Sequence, residues 1–174
     1  MDVLELLNEK MFLGQEFLTW LWYLSEEEGE VQIAGGRLVQ VLLGDRLLLG
    51  PAMGQEGTRV AVRGREVSLA EARQALKRGK LVEGLRLGLT VDGEEFWLSI
   101  NARELMLGSL RLPPAGGAQE QDQGREGVIL ERLYLAEMAH RALEGLFGLF
   151  LEGRLADERG GELWEAVRAW AAGE

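Results

Sequence analysis

Apolar positions recur with a helical period at both ends of the chain and with a strand period through its middle. Between Asp2 and Tyr23 two helical patterns meet near Gly14. The second, GQEFLTWLWYLSEEE, puts Phe17, Leu21 and Leu24 on one face with Leu18, Trp20 and Trp22 beside it, an apolar surface too broad to stay bare. Core or subunit packing is the simplest use of such a cluster, and the following Glu26, Glu27, Glu28 and Glu30 read as a solvated helix end. From Val31 to Gly50 the pattern turns extended, in the runs VQIA, RLVQVLL and RLLLG. The intervening Gly35-Gly36 and Gly44-Asp45 predict hairpin turns.

The alternation resumes in LVEGLRLGLTV, where Leu85, Leu87, Leu89 and Val91 share one face. Asp92-Gly93 is a strong two-residue hairpin signal, and EEFWLSI returns with Phe96, Leu98 and Ile100 together. A further extended stretch, LMLGSLRLP, ends at Pro113-Pro114. Residues 113–127 are rich in Gly, Pro and polar side chains without apolar period, which predicts a linker. Helical spacing then returns from Val128 to about Glu152, with Leu130, Leu133, Leu135, Met138, Ala142, Leu146 and Leu149 on one wide surface. A shorter helix near Glu162 to Ala172 carries Leu163, Trp164, Val167 and Trp170. The expected fold is α+β: an antiparallel sheet with a short packed helix in residues 31–112, N-terminal helices in 1–30, a linker in 113–127 and a C-terminal helical hairpin in 128–174.

Charge singles out one stretch. The chain carries a formal net charge of −10, yet Thr58 to Lys80 holds Arg59, Arg63, Arg65, Arg73, Lys77, Arg78 and Lys80 against only Glu66 and Glu71. Val60 and Val62 alternate with Arg59, Ala61 and Arg63, so a strand here buries valines and turns arginines outward. Ser68 followed by Glu71 predicts a capped helix start, and Gly79 a helix stop. On that helix Leu69, Ala72 and Leu76 form the apolar side, while Arg73, Lys77 and Lys80 project from another. Such a unit suits phosphate contact without base readout, and equally suits balancing a neighbouring acidic surface.

Candidate catalytic chemistry is sparse. There is no cysteine and one histidine, His140, so a zinc site has no ligand set. No serine sits in a GxSxG pattern, and the loop PAMGQEG lacks the lysine and helix of a phosphate-binding loop. Adjacent pairs such as Glu94-Glu95 point to opposite faces of a strand. The reading is non-enzymatic, without cofactor or metal. No apolar run reaches the roughly 20 residues of a membrane span, and the acidic N-terminus lacks a signal peptide's basic region, so the expected location is the cytoplasm.

The order of motifs across residues 12–112 resembles the C-terminal half of the recombination-associated RdgC family. The resemblance rests on Leu18 to Trp22, the extended run from Val31, and VAVRGREVSLAEARQALKRGKLVEGLRLGLTVDGEEFWLSI continuing to SLRLP. It implies a nucleoid-associated protein that encircles duplex DNA as a ring-shaped dimer, binds without sequence preference and restrains the recombinase RecA. The family's basic-polar pair before the short helix falls on Gly64 and Arg65, with Arg63 standing in for the charge that Gly64 lacks. The family's N-terminal half has no counterpart here, and the C-terminal helices are distinctive. The expected DNA contacts are Arg59, Arg63, Arg65, Arg73, Lys77 and Lys80, with a homo-oligomer such as a dimer and a place in the nucleoid. The alternative is an oligomeric protein-interaction module that binds no nucleic acid.

Overall fold

The structure, a computed structural model, describes residues 3–64, 67–105, 107–114, 124–156 and 161–173. In chain order the elements are α1 (Val3–Glu27), β1 (Glu30–Gln32), β2 (Leu38–Gly50), β3 (Val60–Arg63), α2 (Val67–Lys77), β4 (Leu81–Val91), β5 (Glu94–Asn101), β6 (Leu107–Arg111), α3 (Arg125–Arg154) and α4 (Gly161–Ala172). The strands form one antiparallel sheet in the order β1-β2-β4-β5-β6, with β3 pairing the second half of β2. The α+β architecture, with helices before and after the sheet, is the one the pattern predicts.

Two glycine-based expectations change. Gly44-Asp45 makes no hairpin: β2 runs through it as one strand, and the register against β4 shifts between Leu43 and Leu47. A side chain at Gly44 would lie 2.7 Å from the Arg86 carbonyl, so this glycine lets two backbones close up at a bulge. Gly14 does not interrupt α1 either. A Cβ there would collide with the Ala102 carbonyl, so Gly14 is the notch in which the chain leaving β5 rests. Gly35 and Gly36, by contrast, do form a turn with positive φ, and Asp92 (φ 51°) and Gly93 (φ 82°) make the tight β4–β5 turn.

The core lies between the sheet and the helices. Val39, Val41, Leu47 and Leu49 of β2, Leu85, Leu87 and Leu89 of β4 and Phe96, Leu98 and Ile100 of β5 are buried together with Phe17, Leu18, Leu21 and Trp22 of α1. Phe17 meets Phe147 edge-on at 5.0 Å and Phe150 at 5.5 Å, joining α1 to α3, and Trp22 meets Trp170 at 5.2 Å, joining α1 to α4. The C-terminal helices thus pack on α1 of their own chain. A buried polar link accompanies them: Thr19 Oγ1 donates to the Gln15 carbonyl at 2.7 Å and accepts from the Val82 amide at 3.0 Å. It pins the start of β4 to α1.

α3 begins at Arg125, three residues before the first predicted helical position, and residues 115–123 of the expected linker lie outside the described residues. α2 begins at Val67, which puts Ser68 inside its first turn, and the residue ahead of it is not described. Its end is as predicted. Gly79 has φ 84°, and the Gly79 and Lys80 amides close onto the carbonyls of Leu76 and Ala75.

Candidate interface on the open face of the sheet

Among the described residues, helices cover one face of the sheet and leave the other bare. Strand alternation sends Gln40, Leu42, Leu48, Arg86, Thr90, Trp97 and Ser99 away from the core, and register lines them up across the strands. Leu42, Gly88, Trp97 and Arg111 stand opposite one another in a single row over β2, β4, β5 and β6. Gly88 explains the posture of Trp97. A Cβ at Gly88 would lie 2.9 Å from the indole, so the ring lies flat across the glycine. Arg86 covers the ring with its guanidinium carbon 5.7 Å from the centroid, and Trp97 Nε1 donates to Glu95 at 2.5 Å.

Basic groups frame this row. Arg46 and Arg63 stand directly opposite each other on β2 and β3, and Arg86 lies 3.5 Å from Asp45. Beside them Leu48, Ala61, Gly84, Ser99 and Gly108 line a shallow groove of about 510 Å³. Leu38 and Leu42 remain 52% and 45% exposed on the same strand. The result is an amphipathic surface with an aromatic centre and arginine corners.

The six basic residues singled out in the sequence part company. Arg59 donates to Glu83 at 2.6 Å, and that hydrogen bond and charge hold its guanidinium above the ordinary arginine range. Lys80 donates to the Thr58 carbonyl. Arg73 pairs with Glu26 and lies 5.6 Å over the Trp170 ring. Glu26 also accepts from Trp22 Nε1 at 2.8 Å and from Trp170 Nε1 at 3.2 Å, so one carboxylate ties α2, α1 and α4 together. Lys77 sits beside Gly173, where the open end of α4 favours a cation. Arg63 borders the framed row, Arg59 lies farther along the same face beside Leu48, and Arg65 lies outside the described residues. The structure therefore does not gather the five described residues on one surface, since Arg73 and Lys77 lie against α4. Gly64 has φ 105°, a backbone state that a charged side chain would adopt only under strain, which accounts for the missing charge there.

Arg46, Arg86, Arg111 and Trp97 escaped attention in the sequence. A signal was present: Trp97 is out of phase with Phe96, Leu98 and Ile100, and the Asp92-Gly93 turn fixes its register onto Gly88. Elsewhere His140 is exposed, 3.7 Å from Glu144. Among the described residues no group of three or more His, Asp or Glu side chains is placed to hold a metal, and no helix is long and apolar enough to cross a membrane. No family model, no curated protein and no solved structure matches the chain.

Proposed function

We propose that this protein is a non-enzymatic binding module that holds an acidic, apolar-anchored protein segment against the open face of its sheet. The observation that supports the reading is the bare row Leu42-Gly88-Trp97-Arg111 with arginines at its margins. Aromatic and arginine side chains at the centre of a surface are what binding hot spots are made of. An acidic segment would pair with Arg46 and Arg111 while its apolar side chains meet Leu42 and Trp97. Selection from a displayed peptide library tests this, with a Trp97→Ala/Leu42→Ser chain as the counter-target. Enrichment of acidic sequences bearing leucine or aromatic anchors on the native chain alone is expected. Equal enrichment on both chains would sink the reading.

A second reading keeps duplex DNA as the partner and rests on the Arg46–Arg63 pair. Two arginines directly opposite on neighbouring strands offer paired guanidinium donors to a single phosphate. The RdgC-like motif order favours the same ligand and would place the protein in the nucleoid. On this reading the contacts are Arg46, Arg63, Arg86 and Arg111, which the pairing of β2, β3, β4, β5 and β6 brings to the open face. Fluorescence anisotropy with a labelled duplex at low salt decides it. Binding should weaken with salt by a log-log slope near −0.9 per phosphate contact, and Arg46→Ala/Arg86→Ala should abolish it while Lys77→Ala leaves it intact. Absence of binding at low salt removes DNA as a partner.

A further inference from the structure

The two halves of α3 differ sharply in what covers them. From Leu135 onward the helix is seated on the core through Leu135, Met138, Ala139, Ala142, Leu143 and Leu146. Ahead of Leu135 it presents Ile129, Leu130, Leu133 and Tyr134 to solvent, at 50%, 66%, 61% and 60% exposure. These four lie at spacings of three and four, so they form one stripe on the side of the helix away from the core. Large apolar side chains gathered in this way on a polar chain mark a contact surface.

The charges bordering the stripe say what fits it. Glu126 precedes Leu133 by two helical turns, and Arg141 follows Tyr134 by the same distance, so the two charges flank the Leu133–Tyr134 pair symmetrically on its own side of the helix. Two such helices laid antiparallel about a twofold axis between Leu133 and Tyr134 bring Glu126 of each copy against Arg141 of the other. Leu130 then packs over the stem of the partner's Glu137, whose carboxylate already accepts from Arg141 at 2.6 Å. A parallel arrangement would set Glu126, Glu137 and Arg141 each against its own like charge. We infer that the N-terminal half of α3 is an isologous, antiparallel dimer contact between two copies of this chain. It is independent of the open sheet face, and it spans about 22 Å of helix at 1.5 Å per residue. A contact of this size falls toward the small end of stable interfaces, so the dimer forms with rising concentration.

Analytical ultracentrifugation of the full chain at low salt, over a dilution series, tests the inference. A monomer–dimer equilibrium is expected. Leu130→Glu/Leu133→Glu should be monomeric throughout with an unchanged circular dichroism spectrum, since both side chains are exposed. Glu126→Arg or Arg141→Glu alone should weaken the dimer by about tenfold, because each change alters two symmetric ion pairs at once. The combined swap should restore most of the loss. Because the chain has no cysteine, Leu133→Cys should oxidise to a disulfide-linked dimer much faster than Lys77→Cys. A monomer at every concentration overturns the inference, as does a dimer indifferent to the Leu130/Leu133 change. Tightening by Glu126→Arg alone overturns the antiparallel arrangement.

Discussion

The two faces of one sheet are built from the same alternating strands and carry opposite duties. Leu87 and Leu42 stand on neighbouring strands in adjacent rows, yet Leu87 is fully buried under the helices and Leu42 is 45% exposed. Glycines divide in the same way. On the covered side Gly14 lets α1 settle onto the Ala102 carbonyl, whereas on the open side Gly88 serves only to seat an indole. Stability is thus concentrated on the covered face, and the open face contributes little to the core.

Urea unfolding can break that division. Leu87→Ala should cost about 2–5 kcal/mol through lost burial and the cavity it leaves, and Leu42→Ala under about 0.5 kcal/mol. Equal costs would mean that the open face is part of the core. Next in size, Gly14→Ala forces α1 off the β5 exit and should cost about 1–3 kcal/mol, while Gly84→Ala, whose Cβ finds its nearest atom at 3.6 Å, should be tolerated within about 1 kcal/mol. Thr19→Val keeps the shape but strips the Val82 amide of its acceptor, a loss of about 1–3 kcal/mol that Ser99→Ala on the open face should not reproduce.

The smallest effect is alkaline. Burial, then Glu28 and Glu27, push the Tyr23 phenol up from its usual range. Its folded form keeps the proton longer than the unfolded chain does. The resulting stability is fully present below the unfolded phenol's pKa of about 10 and is lost as pH rises through the folded value. Tyr23→Phe should flatten this part of the pH profile. A phenolate titration in a Tyr134→Phe background that places Tyr23 at or below the free phenol would refute it.

Local signals carried far in the sequence, and long-range pairings did not. The period of two in Leu85 to Val91 and in Phe96 to Ile100, and the Asp92-Gly93 turn between them, are short-range facts, so the β4–β5 hairpin was legible down to its register. Gly14 and Gly44 misled because a glycine that permits a close approach looks the same as one that makes a turn, and the atom approached, at Ala102 or Arg86, is remote in sequence. The basic cluster misled for a related reason. Sequence counts charges near in the chain, while Arg59 and Arg73 are answered by Glu83 and Glu26, 24 and 47 residues away. The outward alternation of Arg63 was legible, but its neighbours Arg46 and Arg86 come from other strands and become a surface only once β2, β3 and β4 pair.

The Glu26 carboxylate has a consequence for how the chain is made. Its partners arrive in order, first Trp22 on its own helix, then Arg73, and last Trp170, 144 residues downstream. On a ribosome, α1 emerges with Phe17, Trp20 and Trp22 uncovered, and it stays incompletely covered until the last helix clears the exit tunnel. Until then the nascent chain displays an aromatic helix. Ribosome-bound chains stalled before Gly161 should be strong holdase clients, and chains released after Ala172 should not.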